Sequence, residues 1–203
     1  MGGMLDRPGR LGGALLDLPR GHFQVILADP PFSFATWSVR GQKKSPQQHY
    51  SYLGVDEIAA LPVEQLAALD AALFLWVPYP AIFMARDIIK AWGFRYSGLA
   101  WVWIKFNPAT GKYAFGTGYG TRKNCEQCLL ARRGSPNLKR RSVRDLILAP
   151  RREHSRKPDE QYPNIEAMYD GPYLELFARQ ARTGWTSWGD EVGVFHIDEN
   201  GAV

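Results

Sequence analysis

The sequence predicts an α/β domain built on a mostly parallel sheet, and three observations carry that expectation. Short uninterrupted apolar runs, such as Val25-Ile26-Leu27-Ala28, read as strands buried on both faces. Segments of helical spacing separate these runs, the alternation expected of parallel strands joined by helices. Apolar residues make up 45% of 203 residues against 22% charged, enough to bury one core, so a single domain over 1–203 is expected and global disorder is excluded.

Taken in order, residues 1–21 are interrupted by Gly2, Gly3, Pro8, Gly9, Gly12 and Gly13 and read as a flexible segment without a signal-peptide core, preceding a catalytic core over 22–195. The first strand, 25–28, stops at Asp29-Pro30-Pro31. Residues 37–52 are polar and basic, with Gly41 and Pro46, and read as a loop. Residues 55–69 have helical spacing with a break near Pro62, and 72–77 form a second continuous apolar strand. Pro80 opens a helix to Trp92 that Gly93 closes. An aromatic strand follows at 99–104. The four glycines and one proline of 106–123 mark a long loop, a feature more often functional than incidental. Strands are expected at 126–131 and 146–148, and a helix at 158–169 with Pro158 in its first turn and Asp159 and Glu160 near its positive end. Strands at 173–177 and 185–188 complete the series.

No apolar run approaches the roughly 20 residues of a membrane span, so a soluble, cytoplasmic protein is expected. Two cysteines make no disulfide framework. Cys125 and Cys128 lie three apart on an expected strand, point to opposite faces and cannot share a metal ligand. His22, His49, His154 and His196 form no ligand-spaced group, and no metal is expected. The charge is uneven: between Arg132 and Lys157 ten basic residues face only Asp145 and Glu153, whereas the whole chain carries +5. A local surplus of this kind fits a polyanion, and Lys139, Arg140 and Arg141 are expected to track phosphates.

Asp29-Pro30-Pro31-Phe32 carries the chemistry. It follows a buried strand, where ligands of open α/β sheets sit. Two prolines remove two backbone donors and leave acceptors, the Asp29 carboxylate and the Pro30 carbonyl, beside the Phe32 ring. Such a site suits an amino group on a planar base: the acceptors take its hydrogens while the aromatic ring stacks. The Trp76 and Trp103 rings, at strand ends, are candidates to face a ligand, whereas the other strand aromatics read as core.

Further segments follow in order: Leu73-Phe74-Leu75-Trp76-Val77, Trp103-Ile104-Lys105, Glu126-Gln127-Cys128-Leu129, Ser155-Arg156-Lys157-Pro158-Asp159-Glu160, Leu174-Glu175-Leu176-Phe177-Ala178-Arg179 and Trp185-Thr186-Ser187-Trp188-Gly189-Asp190-Glu191. With the Asp-Pro-Pro-aromatic turn, they resemble the amino-methyltransferases typified by the catalytic subunit of the messenger-RNA m6A writer and its bacterial and phage DNA relatives. The resemblance implies a Rossmann-like class I methyltransferase sheet with helices on both faces, in permuted order, the catalytic motif preceding the segments for S-adenosylmethionine (SAM). It implies that Asp29, Pro30, Pro31 and Phe32 are catalytic. Lys157 would meet the methionine carboxylate, Arg179 the ribose hydroxyls, and Asp190 and Glu191 the ribose and adenine of the cofactor, with Asp29 able to approach the methionine amine. Tyr50 would close over the site, and Arg122 and Glu126 would flank the substrate pocket. Phe32 departs from the family's usual Trp or Tyr, and Asp190 from its commoner Asn.

Other chemistries lack their residues. Neither cysteine follows a proline, as cytosine C5 methylation requires, and no histidine has the His-x-Glu neighbour of a deaminase. Gly116 to Gly120 leads into a strand rather than a helix, unlike a dinucleotide fingerprint. The expectation is therefore a SAM-dependent methyltransferase acting on adenine N6 in nucleic acid, DNA before RNA. RNA, cytosine N4 and a non-catalytic binding scaffold are the alternatives, and a homodimer or a heterodimer with a related subunit fits the family.

Overall fold

The computed structural model describes residues 15–33, 53–116, 118, 120–152, 156–190 and 192. Expectations for residues 1–14, for the loop 37–52 and for Tyr50 and Glu191 lie outside these residues.

Strands β1 (Phe23–Ala28), β2 (Ala67–Val77), β3 (Arg95–Phe106), β4 (Cys125–Arg133), β5 (Leu146–Pro150), β6 (Tyr173–Leu176) and β7 (Trp185–Trp188) form one sheet in the order β5-β3-β4-β2-β1-β6-β7. β1 runs parallel to both β2 and β6, and the pairs β6–β7 and β3–β5 are also parallel. Only β4 is reversed, antiparallel to β2 and β3 on either side of it. The sheet is therefore mixed but mostly parallel.

The period-two alternation of strand side chains sorts the core onto two faces. Ile26, Ala28, Leu73, Leu75 and Val77 pack with α1 (Val55–Ala59), α2 (Val63–Leu66) and α3 (Ala85–Ala91) through Ile58, Val63, Leu66 and Ile88. The Trp92 indole N–H donates to the Ile58 carbonyl at 3.0 Å and ties the end of α3 to α1. On the other face, Val25, Leu27, Phe74, Trp76 and Trp101 pack with Tyr162 and Ile165 of α4 (Gln161–Met168). Helices cover both faces, as the fold class requires. Leu15, expected in a flexible segment, is fully buried in the first of these clusters.

Three boundaries differ from expectation. The expected break at Pro62 divides 55–69 into α1 and α2, but Ala67 leaves the helix for β2, where it pairs with Phe23. The expected helix from Pro80 begins as a 3-10 turn, Tyr79–Ala81, and is α-helical only over Ala85–Ala91. β3 begins at Arg95 because pairing with β4 draws polar, exposed residues into the sheet. Among the described residues no helix is long and apolar enough to cross a membrane.

Candidate active site

β1, β2, β3 and β6 share a direction, so their carboxyl ends lie along one edge of the sheet. Because β4 runs the opposite way, its amino end arrives at that edge too. Asp29 leaves β1 there. The next residues are held tightly: the Phe32 N–H donates to the Pro30 carbonyl, and the Leu53 N–H to the Pro31 carbonyl, both at 2.9 Å. The Pro30 oxygen keeps one lone pair for another donor.

Four side chains at this edge alternate in charge. Lys157, just before α4, places Nζ 2.7 Å from Asp29 Oδ2 and 3.4 Å from Glu126 Oε2. The other Glu126 oxygen bonds Lys105 Nζ, from the end of β3. Lys105 Nζ also lies 4.5 Å from the Trp103 ring centroid, and Lys157 Nζ lies 5.6 Å from that of Trp76. Burial pushes the Asp29 carboxyl above its ordinary range, with Lys157 opposing. Burial disfavours the Lys157 ammonium as well, but Asp29 and Glu126 outweigh it and raise its pKa. Burial also works against ionised Glu126, yet Lys157 and Lys105 together bring it down to about 2. Asp29 is the more weakly held anion, and Glu126 the firmly ionised one.

A crevice opens beside Asp29, lined by Trp76, Lys157, Tyr162, Glu175, Phe177, Arg179 and Gln180. Its floor carries strain. Phe177, directly after β6, has φ of 61°, a region a bulky residue rarely occupies, and its ring meets Trp188 edge-on at 5.7 Å. The adjoining turn closes through the Ala178 N–H, which donates to the Trp188 carbonyl at 2.9 Å. Glu175 is held by the Tyr162 hydroxyl, which reaches its two oxygens at 3.1 and 3.2 Å. Burial lifts its carboxyl to about 7 despite that bond.

The structure thus brings Asp29, Glu126, Lys157 and Arg179 together at one edge. Asp190 follows β7, exposed. Phe32 departs from its expected role: only 4% exposed, it is packed in the core with Leu53 and offers little face for stacking. Arg122 is exposed, with its guanidinium 5.4 Å from the Phe115 ring centroid. Lys139, Arg140 and Arg141 lie toward the opposite end of the sheet, where the Lys139 N–H donates to the Met168 carbonyl and its ammonium pairs with Asp170 at 2.6 Å. Trp76 and Trp103, candidates for a ligand, are both buried, and their indoles donate to Gln161 Oε1 and to the Ala149 carbonyl.

Sequence reasoning missed Glu175, Tyr162 and Lys105. Glu175 did leave a signal, a lone carboxylate inside the apolar run Leu174 to Phe177, since buried carboxylates are rare without a task.

The MT-A70 family profile matches residues 23–191, nearly the whole described region. The chain belongs to the MT-A70 family. This is a family of SAM-dependent adenine-N6 methyltransferases. The chain is 35% identical over 184 residues to a probable N(6)-adenosine-methyltransferase MT-A70-like protein of Oryza sativa subsp. japonica, a match covering 88% of this chain and 24% of the relative. It is 31% identical over 195 residues to the Type II methyltransferase M.MunI of Mycoplasma sp, covering 86% and 80% of the two chains. With the human N(6)-adenosine-methyltransferase catalytic subunit METTL3 it shares 30% identity over 182 residues, covering 87% and 29%. The chain therefore spans about a quarter of the length of the rice relative. These names correct one expectation. The rice and human MT-A70 relatives are named for adenosine, the ribonucleoside, which overturns the preference for DNA over RNA as substrate and partner.

The MT-A70 methyl donor, SAM, suits the residues at this edge. Its amino-acid end offers an ammonium and a carboxylate, the counter-charges of Asp29 and Lys157. Its sugar offers two hydroxyls to a crevice with acceptors to spare: Gln180 Oε1 is buried and has no hydrogen-bond partner among the described residues.

Proposed function

We propose that this chain transfers the methyl group of SAM to the exocyclic N6 of adenosine in RNA. The observation that carries this reading is Asp29, a carboxylate fixed directly beyond β1 with Lys157 2.7 Å from it, at the mouth of the crevice. The choice of RNA is supported by the relatives named for adenosine.

Bound SAM supplies an electrophilic methyl carbon on a sulfonium. The chain's own task is to make a poor nucleophile ready for it. One amino hydrogen donates to Asp29, and the free lone pair of the Pro30 carbonyl takes the other, favouring a pyramidal nitrogen. As the new N–C bond forms, the S–C bond would break with its electron pair returning to sulfur, leaving a neutral thioether, while the nitrogen becomes positive and the Asp29 carboxylate offsets that charge. The nitrogen then loses one proton. Burial raises the Asp29 carboxyl and makes it the better acceptor for that proton. Lys157 and Arg179 hold the cofactor's carboxylate and sugar, Asp190 serves its ribose and adenine end, and Arg122 and Glu126 flank the base. Positioning of this kind supplies much of a transferase's acceleration.

Two further points go with the reading. A human relative is named a catalytic subunit, which supports assembly with a second chain. RNA and SAM are both internal to the cell, which supports a cytoplasmic location.

The test is mass spectrometry of nucleosides from RNA and DNA of matched sequence incubated with the protein and methyl-labelled SAM. Labelled N6-methyladenosine from RNA is expected. Label confined to deoxyadenosine, to cytosine N4 or to neither polymer would overturn the proposal.

A further inference from the structure

Lys105 has no role in the chemistry above, yet it is among the most firmly held residues at the edge. Asn124 brackets its backbone: its side-chain oxygen accepts the Lys105 N–H at 3.3 Å, and its amide donates to the Lys105 carbonyl at 2.8 Å. The same carbonyl accepts the Ala114 N–H at 2.8 Å. The side chain is 19% exposed, and its ammonium rests over Trp103 and bonds one oxygen of Glu126. The other Glu126 oxygen faces Lys157, which has made its shorter contact with Asp29.

This arrangement sets a problem for ligand binding. Asp29 Oδ2 is occupied by Lys157, so an amino group arriving at that oxygen must displace the ammonium. A buried ammonium that leaves Asp29 needs anions around it, and besides the cofactor's own carboxylate the protein supplies one. Glu126 is within reach, and Lys105 is the group that keeps it charged independently of Lys157.

We propose that Lys105 is a positioning residue, holding Glu126 as the anion onto which Lys157 moves when a ligand claims Asp29. The proposal rests on the reading of Asp29 as the amine-binding carboxylate. It needs no bond to form or break, only transfer of one ion pair to a second acceptor. Lys105 touches neither cofactor nor base. Its effect runs through Glu126 alone and disappears wherever Glu126 is ionised without its help.

Lys105→Met and Lys105→Arg test this in the full chain. The Glu126 carboxyl is followed by carbon NMR, assigned with Glu126→Gln, and SAM affinity is measured by calorimetric titration from the lowest pH at which circular dichroism shows each variant folded, about pH 3, up to pH 8. Removing an opposite charge at contact distance raises a carboxyl by about 1–3 pH units. Lys105→Met is therefore expected to lift the Glu126 midpoint and the acid limb of SAM affinity together by that shift, with affinity near wild type at pH 8. Lys105→Arg should restore both. An unmoved Glu126 midpoint in Lys105→Met would overturn the proposal, and so would a raised midpoint with an unchanged affinity profile. Loss of affinity equal at every pH would assign Lys105 a merely structural role and overturn it as well. These readouts do not require turnover, so failure of the RNA methylation assay is distinguishable from failure here.

Discussion

Gly189 lies so close beneath Ala178 that a Cβ on it would stand 2.6 Å from the Ala178 carbonyl oxygen and 2.8 Å from its nitrogen. Both obstacles are backbone, so neither can rotate away. The turn after β7 is thereby pressed onto the turn after β6, the one that carries Phe177, Arg179 and Gln180 into the crevice. Gly189→Ala is expected to force the two turns apart, costing about 1–3 kcal/mol as overpacking does. A urea titration would read that loss, and SAM affinity should fall with it.

Asp29→Asn separates catalysis from architecture. An amide keeps the size of the carboxylate but offers one acceptor and a donor that faces the amino group. It also cannot offset charge developing on nitrogen. Turnover on RNA is expected to fall at least ~100-fold, the scale of losing one electrostatic contact in the transition state. Circular dichroism should remain that of the wild type. Near-normal methylation by this variant would remove Asp29 from the reaction.

Lys157→Met should affect stability as well as binding. The ammonium is only 12% exposed and serves Asp29 and Glu126 at once. Without it two carboxylates, 29% and 32% exposed, face each other with water reaching only part of each, and the loss is expected to be about 1–3 kcal/mol, below the cost of breaking a fully buried pair. Chemical denaturation should show the drop at neutral pH, and acidification, which protonates Asp29 first, should reduce it.

Glu175 gives a pH dependence of opposite sign to that of an ordinary ion pair. Burial lifts its folded carboxyl to about 7, above the 4.5 of an unhindered glutamate. Between those values the folded state binds more protons than the unfolded state, so this group's contribution to stability falls as pH rises. Glu175→Gln is expected to remove that slope and to be relatively more stable at pH 8 than at pH 4. Parallel melting curves for the two proteins at both pH values would contradict the assignment.

Lys139, Arg140 and Arg141 lie toward the end of the sheet opposite Asp29, beside Met168 and Asp170, and are expected to meet the phosphates of a bound RNA strand. If so, charge reversal at all three should lower the salt dependence of RNA binding by about 0.7 log units per log salt for each lost contact. SAM affinity should not change. An identical salt slope would make the run a solvated face.

The parts legible in the sequence are those that a local pattern dictates. The run 25–28 cut by Asp29-Pro30-Pro31 marks both an interior strand and the turn beyond it, because two successive prolines cannot donate to a sheet ladder. Pairing decided the rest. Ala67 reads as helix by composition and becomes strand because Phe23 is beside it. The direction of β4 leaves no trace in its apolar residues, yet it determines that Glu126, and not Arg133, reaches Asp29. Phe32 reads as a stacking ring because it follows directly on the Asp29 and Pro30 acceptors. Its burial depends on Leu53, which meets it across residues that no spacing rule connects.

β1 is complete only when β6 has joined it, Val25 beside Tyr173 and Ala28 beside Leu176. During synthesis the partner strand is made long after β1, β2, β3 and β4 have left the ribosome. A growing chain can therefore assemble a partial sheet whose open edge is the largely buried, apolar β1, an invitation to pair with a neighbour. Asp29 gains Lys157 in the same late stage, since the lysine arrives 128 residues after it. Non-local closure of this kind slows folding. The active site and the protection of the β1 edge are therefore acquired together, late in folding, and chains that stop short lack both.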